Sequence, residues 1–139
     1  MTKQRAGVWL LLYQCLAGLG DTSTGWLLIV EPRWTLTLMG VHLLPQPIEF
    51  ASFVGVFVLG VGLVYLYAMH LPLDAAHAPR WQTVWALTAL VRTLVAVFLF
   101  AEISSGRMER AWLAVAVFDG TLALIQWIGL TRGWLDFAG

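Results

Sequence analysis

Long apolar runs separated by short polar segments dominate the sequence. Four runs, over about 7–30, 48–69, 81–103 and 111–130, each provide the roughly 20 residues that an α-helix needs to cross a bilayer core of about 30 Å. The runs are continuous instead of alternating, which favours helices. The pattern predicts an all-α membrane protein, one domain over 1–139, whose four transmembrane helices form an antiparallel bundle.

The segment 31–47 between the first two runs is too short to span the bilayer and too apolar for an ordinary loop. It is bounded by Pro32 and Pro45 and includes Trp34, Leu36 and Leu38. We therefore expect an interfacial or re-entrant segment between helices 1 and 2, and the pattern leaves helix and extended chain open.

Composition supports a membrane location and indicates which classes of partner to expect. Apolar residues make up 60% of the chain and charged residues 12%, where soluble domains average roughly 25% charged residues. This apolar share predicts the lipid bilayer as a partner. The net charge is zero and no basic run is present, so we expect no binding to nucleic acid. Cys15 is the only cysteine, which excludes a disulfide within one chain.

The amino-terminal stretch has the charged and apolar regions of a signal peptide, and we expect instead a retained first span. Leu12, Tyr13 and Gln14 are too bulky for the small-residue cleavage site of an export signal, and apolar residues resume beyond Asp21. Basic residues slightly favour the side that holds both termini, which predicts cytoplasmic termini. Those residues are Lys3, Arg5, Arg80 and Arg132, against Arg33, Arg107 and Arg110.

The eight tryptophans fall near the ends of the predicted spans, which is typical of the aromatic belts at membrane interfaces. They are Trp9, Trp81, Trp85, Trp127 and Trp134 on the side of the termini, and Trp26, Trp34 and Trp112 on the other.

Charged residues inside the spans are the candidate site, because a lone ion in a membrane costs roughly 2.5–3.5 kcal/mol even on the most lenient scale. At a rise of about 1.5 Å per residue, Asp21, Arg92 and Asp119 share one layer roughly 17–21 Å deep. Arg92 and Asp119 are expected to contact each other directly or through one water, with Asp21 completing the network.

Helical spacing places each of these charges on a stripe that faces the other helices. The stripes are Gly7, Leu11, Gln14, Gly18, Asp21 and Gly25; Ser52, Gly55, Leu59 and Gly62; Trp81, Trp85, Thr88, Arg92, Val95, Leu99 and Glu102; and Trp112, Val115, Asp119, Leu122 and Gln126. Four such stripes predict one bundle.

Other chemistry has little support in the sequence. His42, His70 and His77 lie in or beside connecting segments, so we expect no metal, no haem and no other cofactor. No serine or cysteine stands in a nucleophile motif, and we assign no catalytic residue. Ser104 to Glu109 reads as a turn in which Gly106 ends the third helix, with Glu102 and Glu109 on its wet rim.

The run Leu44 to Phe50, followed by Gly55, Gly60 and Gly62, resembles the second-span entrance of DoxX-like four-helix bacterial membrane proteins. The resemblance covers the first two spans. It implies a bacterial inner membrane and, through relatives that are subunits of quinone-linked oxidoreductases, a place in a membrane assembly.

Two functions remain open. The first is a noncatalytic accessory or scaffold subunit that packs against other membrane proteins or itself, with the charged layer as a structural network. The alternative is a small oligomeric transporter or channel in which Arg92, Asp119 and Asp21 bind an anion or relay protons.

Overall fold

A computed structural model describes residues 3–137, and side chains from Gly7 onward. These residues form helices α1 (Lys3–Val30), α2 (Pro32–Leu38), α3 (Glu49–Ala68), α4 (Ala78–Ser104) and α5 (Leu113–Thr131), with a 3₁₀ turn, Arg110–Trp112, before α5. No strand occurs within 3–137. The prediction of an all-α membrane protein is confirmed to this extent: three stretches, Glu49–Ala68, Ala78–Ser104 and Arg110–Thr131, are long and apolar enough to cross a membrane.

The first predicted span is a helix of 28 residues, longer than any other in the described chain. It is not among the three stretches above, because Gln14, Asp21 and the hydroxyl residues Thr22 to Thr24 lower its average hydropathy. Four transmembrane helices therefore stay a prediction, as does the domain range 1–139, whose first two and last two residues lie outside the described part.

Segment 31–47 is helical over one stretch only. Pro32 begins α2 at the position where its missing N–H costs nothing, and α2 ends after 7 residues at Leu38. The chain beyond it is irregular until α3 begins at Glu49. Leu36 and Val41 are buried with Leu28 and Ala51, so the segment covers one end of the helices.

Helices α4 and α5 each end at a glycine with a positive φ angle. Gly106 has φ 74°, and the N–H of Arg107 donates to the carbonyl of Glu102 at 2.9 Å, which confirms the predicted turn after the third helix. Gly133, with φ 66°, ends α5 in the same way. The chain then turns back, so that Leu135 is buried beside Trp81 and Trp85 at the end of the molecule opposite α2.

Helices α1 and α3 pack backbone against backbone in antiparallel directions. A Cβ added to Gly25 would collide with the main chain of Gly55 and Leu59, and one added to Gly62 would collide with Thr22 and with the carbonyl of Gly18. Small residues permit this approach, as predicted from the stripes on both helices. We call this contact the glycine seam.

The belt interpretation is wrong for two tryptophans. Trp81 and Trp85 are 0% and 1% exposed, so protein surrounds both rings and neither faces headgroups. The Nε1 of Trp81 donates to the carbonyl of Pro72 at 3.3 Å, and that of Trp85 donates to Oε1 of Gln14 at 3.1 Å. The buried N–H groups thus find partners inside the protein, as such groups must.

Candidate functional site

The three predicted charges meet inside the molecule. Arg92 of α4 is 3% exposed. Its Nη2 donates to Oδ2 of Asp21 at 2.5 Å, and its Nη1 donates to Oδ1 of Asp119. The predicted direct contact between Arg92 and Asp119 is present, and Asp21 joins it from α1.

Tyr65 of α3 is the fourth member of this group, and it was not predicted from the sequence. Nε of Arg92 donates to the Tyr65 hydroxyl at 2.9 Å, so all three kinds of guanidinium nitrogen have acceptors. The guanidinium carbon lies 5.2 Å from the centroid of the Tyr65 ring and 5.7 Å from that of Phe118. Both rings thus add a cation–π contact. The signal for Tyr65 was its spacing of three from Gly62 on the α3 stripe.

The network continues from Tyr65 along α5 and α4. The Tyr65 hydroxyl donates to Oε1 of Gln126 at 3.0 Å, and Nε2 of Gln126 donates to the hydroxyl of Thr88 at 2.7 Å. Thr88 donates in turn to the carbonyl of Val84 at 2.7 Å. Gln126 and Thr88 both lay on predicted inward stripes, but their partners were not predicted.

Gln14 of α1 makes a second bridge beside the first. Its Nε2 donates to the carbonyl of Tyr65 at 3.2 Å, and its Oε1 accepts from Trp85. Tyr13 also reaches across, since its hydroxyl donates to the carbonyl of Leu122 at 3.2 Å. We call the whole group the polar layer. Its members are Tyr13, Gln14, Asp21, Tyr65, Trp85, Thr88, Arg92, Asp119 and Gln126.

The polar layer fills a space between two helical pairs. Helices α1 and α3 form one pair, and α4 and α5 form the other. Among the described residues, no Cα atom of α1 lies within 8 Å of one in α4 or α5. Long polar and aromatic side chains therefore make the connection that backbone packing makes within the first pair.

Within the polar layer, Asp21, Arg92 and Asp119 form what we call the ion group, in which acidic side chains outnumber basic ones. Two carboxylates hold one guanidinium, so with both acids ionised the group has one negative charge in excess. Each carboxylate uses one oxygen on Arg92, and within residues 3–137 the second oxygen of neither forms a hydrogen bond. The side chains of Asp21 and Asp119 are 13% and 14% exposed, so both acids can be reached from outside the protein.

Glu109 connects the two helical pairs at one end of the molecule. It was predicted only as a solvated residue of the turn after the third helix. Its carboxylate accepts the backbone N–H of His42 at 3.1 Å and also that of Leu43. Charge-assisted bonds of this kind are stronger than neutral ones. Glu102 pairs instead with the exposed Arg107, at 2.6 and 2.7 Å.

The three histidines lie apart from the polar layer. His42 and His70 are exposed, and His77 is half-buried in the connection before α4. Nδ1 of His77 lies 2.7 Å from Oδ1 of Asp74, and this hydrogen bond lowers the pKa of the Asp74 carboxyl. The described residues hold no cluster of three metal-ligating side chains. The expectations of no metal and no cofactor stay predictions.

A separate groove runs along the outer side of α4 and α5. It encloses about 390 Å³ and has a floor of small residues, among them Ala96, Ala116 and Gly120, between larger apolar side chains such as Phe100 and Trp127. The carboxylate of Asp119 points toward Arg92 and does not line the groove. No member of the polar layer lines this groove.

The chain was compared with known protein families, curated proteins and solved structures, and none of them matches it. The resemblance to DoxX-like proteins is thus neither supported nor contradicted, and any function rests on the geometry above.

Proposed function

We propose that this chain crosses the bilayer four times and acts as a noncatalytic accessory or scaffold subunit of a membrane protein assembly. The observation that supports the proposal most directly is how the guanidinium of Arg92 is held. Its guanidinium is held by acceptors from α1, α3 and α5 of its own chain, as expected of a group that fixes how helices pack. A charge held at three points is poorly suited to binding and releasing a solute.

The role of α1 as the fourth span is supported by where its polar residues point. Gln14 is 0% exposed and Asp21 binds Arg92, so both face other helices. The exposed α1 side chains from Gly7 onward are apolar except for Ser23, whose hydroxyl donates to the carbonyl of Leu19. The apolar ones are Val8, Trp9, Leu12, Leu16, Leu19, Trp26 and Val30. A helix of 28 residues is about 42 Å long, enough to cross the core.

The surface left for partners lies almost entirely on the sides of the helices. Large apolar side chains are exposed along α1, α3, α4 and α5, and the connections between helices are short. Contacts with other chains would then form within or beside the bilayer. We place both termini on the cytoplasmic side of a bacterial inner membrane, on the basis of the flanking basic residues and the DoxX-like resemblance.

Affinity purification from native membranes in mild detergent tests this function. We expect one or more membrane proteins to co-purify at a fixed ratio to the tagged chain. Arg92→Leu provides a matched control, because loss of the internal network should reduce recovery of folded complex. A chain that purifies alone and monomeric from its native membrane would contradict the proposal.

A small transporter or channel is the second candidate, and the excess negative charge of the ion group favours it. The unbonded oxygens of Asp21 and Asp119 are the kind of group that carries protons or cations through membranes. Flux of protons or ions into reconstituted vesicles that disappears in Arg92→Gln and Asp119→Asn would establish this function. Vesicles without flux would retire it.

A further inference from the structure

With both acids ionised, the excess negative charge of the ion group lies on the side of the molecule between α1 and α5. Asp21 projects from α1 and Asp119 from α5, and each reaches Arg92 from its own side. Arg92 is the only lysine or arginine within the four apolar runs, and it is already fully engaged. The chain therefore has no second cation in its spans with which to balance these two acids.

This side is open to a neighbouring helix. Among the described residues α1 and α5 have no Cα atoms within 8 Å of each other, and the hydroxyl of Tyr13 crosses to the carbonyl of Leu122. Gly20 lies seven residues after Tyr13, so helical periodicity places it on the same face of α1. A Cβ added to Gly20 would meet nothing within 4 Å, and the backbone beside Asp21 is thus accessible.

A net negative charge on this group beside lipid is costly, and charges within membranes are almost always balanced by a partner. A soluble cation approaching from the lipid would pay the same cost. A lysine or arginine carried on an apolar helix arrives already in the membrane. A second copy of this chain cannot supply it, because its only spanning base is buried.

We propose that the α1–α5 side binds a transmembrane helix of another protein that carries a lysine or arginine near the middle of its span, and that this cation completes the group formed by Asp21, Arg92 and Asp119. The inference rests on the proposed function as an accessory subunit and names the chemistry of the partner. Gly20 permits the close approach, and the free oxygens of the two acids receive the cation.

Synthetic helices provide the test. We would reconstitute the chain into phosphatidylcholine vesicles with leucine-rich 21-residue peptides that differ only in the central residue, which is lysine, leucine or aspartate. Energy transfer from a dye on the peptide to one on a cysteine introduced at the exposed Ala75, in a Cys15→Ala background, measures association. We expect the lysine peptide to bind at least tenfold more tightly than the leucine or aspartate peptide.

Three variants separate charge from shape. Gly20→Leu should block the approach and remove the preference for lysine, and Asp21→Asn should also remove it by balancing the charge. Gly60→Leu is the matched control: its added Cβ also meets nothing within 4 Å, but it lies on α3, so the preference should persist. Circular dichroism of each variant confirms that it is folded.

Equal binding of the three peptides, or equal effects of Gly20→Leu and Gly60→Leu, would overturn the inference. The affinity purification described above keeps this failure distinct from failure of the proposed function. Co-purifying partners whose spans lack a central lysine or arginine would leave the subunit role standing and refute this inference alone.

Discussion

The glycine seam and the polar layer both hold helices together, but by different interactions. The seam joins α1 to α3, and the layer joins the two helical pairs. In the seam, Gly25, Gly55 and Gly62 bring two backbones into contact without any ion pair. In the layer, Arg92 joins α1, which has no Cα atom within 8 Å of α4 or α5 in the described chain, to both of those helices through Asp21 and Asp119. The seam depends on shape alone, whereas the layer depends on hydrogen bonds and ion pairs between its side chains. Substitutions should therefore affect the two regions by different rules.

The largest effect is expected from breaking the ion group on one side only. Arg92→Leu should lower the stability in detergent by roughly 3–5 kcal/mol, because it leaves the carboxylates of Asp21 and Asp119 without their shared partner. Asp119→Leu should cost less, because Arg92 keeps its ion pair with Asp21. The double variant should lose less than the sum of the two single losses. Thermal unfolding followed by circular dichroism measures all four proteins, and strictly additive losses would show that the two side chains do not interact.

The next effect tests the seam. Gly25→Leu should cost about 3 kcal/mol or more, because the new side chain collides with the backbone of Gly55 and Leu59, which cannot move aside as a flexible side chain would. Gly20→Leu, on another face of the same helix, should change the melting temperature little. Similar melting temperatures for the two variants would mean that α1 and α3 are not in close contact.

A smaller effect is expected at the neutral part of the layer. Gln126→Leu removes the acceptor of the Tyr65 hydroxyl and a donor to Thr88, at a cost of about 1–3 kcal/mol. Thr121→Val on the exposed side of α5 is the control, since its hydroxyl bonds only within its own helix. If Gln126→Leu were as stable as Thr121→Val, the layer would not need its neutral members.

The smallest effect concerns the tie at the end of the molecule. Glu109→Gln replaces a charged acceptor of the His42 and Leu43 amides with a neutral one and should cost about 1 kcal/mol. Hydrogen exchange of residues 39–48 should become faster. Glu102→Gln, which affects an ion pair with the exposed Arg107, should leave that exchange unchanged. Equal exchange rates in both variants would show that Glu109 does not hold this segment in place.

Sequence periodicity predicted much of this arrangement. The spacing of four and three on α4 identified the buried face that carries Trp85, Thr88 and Arg92, and equal depth paired Arg92 with Asp119. Tyr65 and the Trp85 to Gln14 bond were not predicted, because they depend on the distance between helical pairs, which no single helix encodes. Glu109 was missed for a related reason: its partners are backbone amides, positioned only when segment 31–47 folds over the end.

The central claim is that the polar layer holds together two helical pairs, of which the first is held by its glycine seam. Spin labels on exposed leucines in a Cys15→Ala background test it by distance measurement: Leu19 with Leu63 for α1 to α3, and Leu19 with Leu124 for α1 to α5. In Arg92→Leu we expect the α1–α5 distance distribution to broaden or lengthen while the α1–α3 distribution stays as in the unsubstituted chain. Two unchanged distributions, or equal broadening of both, would contradict the account.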